Sequence, residues 1–343
     1  MSLLSSIIPD IDKKLPLINR PIWLYLPNIQ CNFKCQYCYM SRNTKPRGSC
    51  SHSCQFILPK NINENNKWIV LYGGEILTDK PLVYSLILEI RKHTLNPISF
   101  STNGSLLEAK DIDFFEKNNV KISLSYDGKY QKYRGTDILK IKKDIIYNAI
   151  SRNVIISLNT VIHNKNYHDY KFDLPGISII HDYNYIYPIE TESNKSFLLE
   201  NNLSDEISNN IVNLLKKLLL DIPLYDTDKL LLKYPPSIFY FLEQFLSLKK
   251  NKELSLTQGL LCSQTSCSRS DIYGNTFYAC GKGLEALITK APIDNACLNC
   301  KFLSMCAYKC PTHNFNRQLC KNTYMYKTYE KTYNLLRSLG IMD

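Results

Sequence analysis

Ile22-Trp23-Leu24-Tyr25-Leu26 is followed, after four residues, by Cys31-Asn32-Phe33-Lys34-Cys35-Gln36-Tyr37-Cys38. The first run is short, apolar and rich in β-branched and aromatic residues, which predicts a buried strand. The second places three cysteines on the loop leaving that strand, spaced by three residues and then by two. Three thiolates on one tight loop can bind three irons of a [4Fe–4S] cubane and leave the fourth iron open. The same spacing also permits a zinc site with a distant fourth ligand. Phe33, Tyr37 and Tyr39 would keep water from either kind of centre.

Outward from that run, strand-like and helix-like stretches alternate. Strands are predicted at Ile22–Leu26, Trp68–Tyr72, Ile98–Thr102, Val120–Ser125, Val154–Val161 and Tyr183–Tyr187, and helices at Pro81–His93, Glu108–Asn118 and Ile138–Arg152. Alternation of this kind predicts an α/β fold with a parallel sheet. Six strands suit a partial (β/α)6 barrel of the TIM type, open on one side, with its chemistry at the C-terminal strand ends. Residues 41–66 are polar and without helical period, so the helix expected after the first strand is short or absent. From Leu198 to Lys250 the pattern turns helical, with Pro223, Pro235 and Pro236 as breaks. Beyond Leu256 cysteines become frequent and periodicity fades, until a helical pattern resumes over Tyr324–Leu339. The predicted organisation is an N-terminal extension (1–20), the barrel (21–195), a helical bridge (196–255), a small cysteine-rich domain (256–325) and a C-terminal helix (326–343).

The 343 residues carry 13 cysteines. No uninterrupted apolar stretch approaches a membrane span, and the first residues do not form a secretory signal, so a cytoplasmic location is expected. Thiols stay reduced there, and clustered cysteines indicate metal instead of disulfides. The formal charge of +11 invites a nucleic-acid reading, but cluster-bound thiolates would offset it by roughly −5. The basic residues are also spread along the chain, which argues against nucleic acid as a partner.

Short motifs end the successive predicted strands. Gly73-Gly74-Glu75 follows the second, Thr102-Asn103-Gly104 the third, and Ser125-Tyr126-Asp127-Gly128 the fourth. A lone Gly-Gly or Asn-Gly is usually only a turn; their order along one barrel is what carries weight. With the Cys-x3-Cys-x-aromatic-Cys loop, the set resembles the radical S-adenosylmethionine superfamily. The resemblance implies a [4Fe–4S] cluster on Cys31, Cys35 and Cys38. It also implies cofactor contacts from Tyr37, Gly73, Gly74, Glu75, Asn103 and Ser125, and from Arg134 by a looser match. Ile76 stands where the family commonly has proline.

Eight cysteines remain in the C-terminal part: Cys262, Cys267, Cys280, Cys297, Cys300, Cys306, Cys310 and Cys320. By spacing alone they could form two four-thiolate clusters or a pair of zinc ribbons. Their pattern, with Gly274 before Cys280, resembles the SPASM domain appended to many radical S-adenosylmethionine enzymes. That resemblance implies two auxiliary [4Fe–4S] clusters, one on Cys262, Cys267, Cys280 and Cys310 and the other on Cys297, Cys300, Cys306 and Cys320. The total is then three clusters.

The resemblance further implies a 5′-deoxyadenosyl radical that abstracts hydrogen from a substrate, with auxiliary clusters suited to accept an electron. A net oxidation, dehydrogenation or cross-linking, is expected on a ribosomally made precursor peptide or a protein. The implied partners are an electron donor such as flavodoxin or ferredoxin and, because no leader-recognition domain is expected before the first strand, either a separate leader-binding protein or a leader-binding surface of the enzyme itself, such as an exposed strand edge. Anaerobic sulfatase maturases share the layout but place Asp where Gly281 stands. Cys50 and Cys54 read as free thiols or as hydrogen donors of a peptide epimerase. His52, His93, His163, His168, His181 and His313 are scattered and read as surface or capping residues.

Overall fold

The computed structural model describes residues 21–26, 30–38, 56–65, 67–171, 174, 176–185, 194–199, 201–239, 241–242, 245, 268–271, 276–278, 302, 321 and 324–342. The chain divides into two compact units. One comprises Asn19–Leu198 with Arg269–Phe277, the other Met1–Ile18, Leu199–Ser268 and Tyr278–Asp343.

The first unit is built on strands β1 (Ile22–Tyr25), β2 (Ile69–Tyr72), β3 (Ile98–Thr102), β4 (Val120–Ser125), β5 (Ile155–Ile162) and β6 (Ile180–Tyr185). Each pairs in parallel with the next. Helices α1 (Lys80–Arg91), α2 (Ala109–Lys117), α3 (Ile138–Ile141) and α4 (Lys143–Ser151) fill the crossovers, as parallel pairing requires. Alternate residues of the strands, among them Leu24, Leu71, Phe100, Ile122, Leu124 and Leu158, are buried with Val83, Leu86, Ile87, Ile112, Phe115 and Ile146 of the helices. The intervening residues face the other way and are largely polar from β3 onward. Ser101, Ser123 and Ser157 lie in cross-strand register on that face, followed by Ser125, Asn159 and Asp182.

Three departures from expectation trace to partners distant in sequence. The helix predicted over Ile138–Arg152 is broken at Lys142, whose φ of −131° leaves the helical region while its ammonium donates to the Leu107 carbonyl at 3.1 Å. Strand β6 begins at Ile180, three residues before its predicted start at Tyr183, because its pairing with β5 extends from Ser157 to Ile162. Strands β7 (Ser268–Asp271) and β8 (Thr276–Tyr278) extend the sheet past β1, giving eight strands in the order β6-β5-β4-β3-β2-β1-β7-β8. Their sequences carry no hydrophobic alternation, and β7 is held by backbone pairing to Leu24 and Tyr25. In the described part of the polar segment, 56–65, there are turns and no helix.

In the second unit, α5 (Ser204–Asp221), α6 (Thr227–Lys233) and α7 (Tyr324–Ser338) share a core of Leu215, Leu218, Leu230, Phe302, Tyr329 and Leu336. Lys331 ties α7 to α5 by donating to Asp205 at 3.0 Å, Ser208 at 2.9 Å and Asn209 at 2.8 Å. No described helix is long and apolar enough to cross a membrane. All eight distal cysteines, together with Cys50 and Cys54, lie outside the described residues.

Phe100 is 1% exposed and meets Phe115 edge to face at 5.3 Å. Phe100→Ala is therefore expected to cost about 3–5 kcal/mol, measured as a lower denaturation midpoint in urea with an unchanged slope.

Candidate cluster site

Because β1–β5 run parallel, the loops that leave them all emerge at one edge of the sheet. Cys31–Cys38 follows β1, Gly73–Glu75 follows β2, Asn103–Gly104 follows β3, Tyr126–Gly128 follows β4, and His163 follows β5. The sheet thereby collects motifs that are up to 132 residues apart in sequence, Cys31 to His163, and the loop contacts can be traced in two arms.

The arm bearing Cys31 is held by polar side chains. Asn103 donates from Nδ2 to Asn32 Oδ1 at 2.9 Å. Asn32 donates from Nδ2 to Ser105 Oγ at 2.9 Å, and Ser105 Oγ donates to Asn103 Oδ1 at 2.6 Å, closing a ring of three residues. Thr78 Oγ1 is shared between the Gln30 carbonyl at 3.1 Å and the Glu75 carbonyl at 2.7 Å. Glu75 itself is 1% exposed. Its carboxylate accepts from Leu77 N–H at 3.2 Å, Thr102 Oγ1 at 2.8 Å and Asn103 N–H at 2.7 Å. A carboxylate offers about four acceptor positions, so one is left for a further donor. Burial raises the Glu75 pKa, although the three donors oppose it. A Cβ on Gly73 would stand 3.1 Å from the Leu26 carbonyl oxygen, a tight contact that would make the end of β1 and the Gly73–Glu75 turn give slightly, so glycine favours their close approach.

The arm bearing Cys35 and Cys38 rests on aromatic and ionic contacts. Cys38 N–H donates to the Cys35 carbonyl at 3.2 Å, making a tight turn, and Gln36 N–H donates to the Tyr133 carbonyl at 2.9 Å. Tyr37, at its centre, is buried and donates its hydroxyl to Asp127 Oδ2. Asp127 also accepts from Arg134 Nη2 at 3.0 Å and Nε at 3.2 Å, and from Val161 N–H at 3.1 Å. The Arg134 guanidinium lies 5.5 Å from the Tyr37 ring centre. Phe33 packs on Gly135, where a Cβ would come within 3.3 Å of its ring at a φ of +148°.

Burial is the main influence on the thiols. It raises Cys31 and pushes Cys35 up to about 11, against the opposing charge of Arg134. Both thiols are thus protonated at neutral pH until a cation replaces the proton. No disulfide joins Cys31, Cys35 and Cys38 to one another. Among the described residues no three His, Cys, Asp or Glu side chains lie close enough to share one metal ion. A cubane does not require that convergence, since each thiolate reaches a different corner. Three cysteines on one loop, held at both arms by the contacts above, fit such a cluster.

The other sequence-predicted contacts are also at this edge. Gly73, Gly74, Glu75, Asn103, Ser125 and Tyr37 belong to its loops or to the strand ends beneath them, and Arg134 spends two of its five donors on Asp127. Asp127, read in the sequence only as part of the motif after β4, is the hub of four donors; the residues that sequence reasoning passed over are Asn32, Thr78, Ser105 and Tyr133, which also do the holding. Nothing in their spacing distinguishes them from ordinary turn residues. His163, expected at the surface or in a cap, is fully buried, although it does accept the Lys165 N–H at 3.1 Å. His93 is at the surface as expected, beside Glu89.

This fold and site define an α/β protein with a three-cysteine loop at the C-terminal edge of an open parallel sheet. By sequence and by fold the chain resembles the radical S-adenosylmethionine enzymes, maturases among them. Residues 22–146 match the family model described as a 4Fe-4S single cluster domain. A probable GTP 3′,8-cyclase of Methanococcus vannielii is 32% identical over 34% of this chain and 41% of its own length. The radical SAM cyclopropyl synthase TigE of Paramaledivibacter caminithermalis is 24% identical over 54% of this chain and 44% of its own. The chain therefore spans less than half the length of these curated relatives. Among solved structures, native anSMEcpe with bound AdoMet superposes with a TM-score of 0.56 at 16% identity, covering 92% of this chain and 96% of that one. Streptococcus suis SuiB bound to precursor peptide SuiA gives 0.50 at 13% identity, covering 88% and 74%. At these identities the superpositions establish the shared fold.

Two measurements check the aromatic and ionic arm. Asp127→Asn leaves the buried Arg134 without its counter-charge and should cost about 3–5 kcal/mol in urea denaturation. His163 has its pKa lowered by burial from 6.5 to about 4, so the unfolded chain binds the extra proton between those values. Its contribution to stability is present above 6.5 and is lost as pH falls toward 4. In His163→Phe the fall in stability over that window should shrink by on the order of 1–3 kcal/mol.

Proposed function

We propose that this protein is a radical S-adenosylmethionine maturase that oxidatively modifies a ribosomally made peptide, by cross-linking or dehydrogenation. The observation that carries the proposal is the clamped cysteine loop, placed by the parallel sheet directly above the Gly73–Glu75 turn and the ends of β3 and β4. Cys31, Cys35 and Cys38 would hold the cluster. Together with S-adenosylmethionine, the cluster supplies when bound a 5′-deoxyadenosyl radical able to take a hydrogen atom from an unactivated C–H bond.

The chain's own residues then have separate tasks. Glu75, with one acceptor position open, suits the ammonium of the cofactor's methionyl end, and Gly73 and Gly74 let its backbone come close. Asn103 and Ser125 offer hydrogen bonds at neighbouring strand ends, where a ribose could be held. Tyr37 and Phe33 keep water from the loop, and Arg134 acts on the same region through Asp127 and Tyr37. Exclusion of water matters because a carbon radical must be protected from side reactions.

A peptide substrate is supported by the fold shared with a structure whose bound partner is a precursor peptide. It is also supported by the polar face of the sheet, where Ser101, Ser123, Ser157 and Asn159 present small donors and acceptors of the kind a polypeptide backbone can pair with. In the same reading, Cys262, Cys267, Cys280 and Cys310, and Cys297, Cys300, Cys306 and Cys320, hold two auxiliary [4Fe–4S] clusters in a SPASM domain. A flavodoxin or ferredoxin delivers electrons, and a separate leader-binding protein presents the substrate.

The test is anaerobic reconstitution with iron, sulfide, a low-potential reductant and S-adenosylmethionine. The wild-type chain should release 5′-deoxyadenosine, and Cys31→Ala should release none while retaining iron at the distal cysteines. Co-expression with a neighbouring short peptide should yield a product lighter by two hydrogens. A product of unchanged mass with an inverted stereocentre would replace oxidation with epimerisation, and Cys50→Ala and Cys54→Ala would then identify the hydrogen donor. No 5′-deoxyadenosine from iron-loaded protein would reject the catalytic reading.

A further inference from the structure

His163 combines three properties that a packing residue does not need. It is 0% exposed, its Nδ1 accepts the Lys165 N–H at 3.1 Å, and its Nε2 is buried with no hydrogen-bond partner among the described residues. Because Nδ1 accepts, the neutral ring carries its proton on Nε2, and burial, which lowers the His163 pKa, keeps the ring neutral. An unsatisfied buried N–H costs about 1–3 kcal/mol, a cost that a phenylalanine of similar shape would avoid.

The surroundings supply a reason for an imidazole. Tyr37 lies 5.1 Å from the His163 ring centre in a tilted stack. Phe197 lies at 5.1 Å, Tyr133 at 5.8 Å and Tyr130 at 6.5 Å, all within a few degrees of perpendicular. Perpendicular rings present π faces toward which an edge N–H can point, a weak acceptor in place of an oxygen. The bond from Lys165 stops the ring from rotating. One side of this fixed plate is Tyr37, which sits between Cys35 and Cys38; another is Tyr133, whose carbonyl takes the Gln36 N–H. Both contacts fall on the same arm of the cysteine loop. The Cys31 arm has a different anchor, the Asn32–Asn103–Ser105 ring, with no part in the aromatic box.

We infer that His163 is a positioning residue for the Cys35–Cys38 arm of the loop, holding it through Tyr37 and Tyr133 independently of the anchor on Cys31. The inference concerns the chain without any bound group, so it stands or falls apart from the proposed activity.

The experiment is site-resolved alkylation of the full-length, cluster-free protein with N-ethylmaleimide under native conditions. Trypsin cleaves after Lys34, which places Cys31 on one peptide and Cys35 with Cys38 on another, so mass spectrometry reads the two arms separately. His163→Leu keeps the volume and removes the ring. It should speed alkylation of the Cys35–Cys38 peptide by about tenfold through local opening, leaving Cys31 near its wild-type rate. His163→Phe keeps a ring against Tyr37 but has no Nδ1 to accept the Lys165 N–H, so it should restore only part of the protection. Unchanged rates on both peptides in His163→Leu would overturn the inference. So would equal acceleration of both peptides, which signals general loosening, or wild-type protection in His163→Phe, which would make the ring nitrogens irrelevant.

Discussion

The buried carboxylate of Asp127 is the interaction on which the site edge depends. It receives the Tyr37 hydroxyl from the loop after β1, the Arg134 guanidinium from the segment after β4, and the Val161 N–H from β5. Three segments distant in sequence are thus fixed to one pair of oxygens in a place that water does not reach. A buried charge is tolerated only when paired and hydrogen-bonded, and Asp127 meets that condition through Arg134. The arrangement makes the cysteine loop a consequence of the sheet: where β4 and β5 end determines where Tyr37 sits, and so where Cys35 and Cys38 sit.

Glu75 does comparable work on the opposite flank. Its carboxylate spans from the turn after β2 to the Thr102–Asn103 end of β3, and Asn103 in turn reaches Asn32 beside Cys31. The loop is therefore held by a polar anchor on one arm and an aromatic and ionic one on the other. The two anchors are independent, since they share no side chain.

The two faces of the sheet divide the labour. One is continuous with the apolar core that α1, α2 and α4 cover, and it supplies stability. The other carries Trp23, Tyr25 and Tyr72 on β1 and β2, then serines and Asn159 across β3 to β5. Strands β7 and β8 lengthen the sheet beyond β1 and bring a segment from the C-terminal third of the chain into the first unit.

Much of the fold was legible in the sequence because hydrophobic periodicity is local. Strands β3 and β4 stand at their predicted bounds, β1, β2 and β5 within one residue of them at each end, and the strand-end motifs do gather at one edge of the sheet. The cysteine spacing, Gly73-Gly74-Glu75 and Asn103 were readable for the same reason, since each is a contiguous signal. The break at Lys142, the early start of β6 and the pairing of β7 with β1 were not readable. Each depends on a backbone or side-chain partner far along the chain: Leu107 for the first, Ser157 for the second, Leu24 and Tyr25 for the third. The same holds for the residues that anchor the loop. Asp127 reads only as one position of the strand-end motif after β4, and His163 like a scattered histidine, until the parallel sheet brings Tyr37 against both. The sequence by itself determined which groups could ligate and which strands would carry them. Only the tertiary structure decided how those groups are held, because that follows from burial and from donors and acceptors meeting across strands.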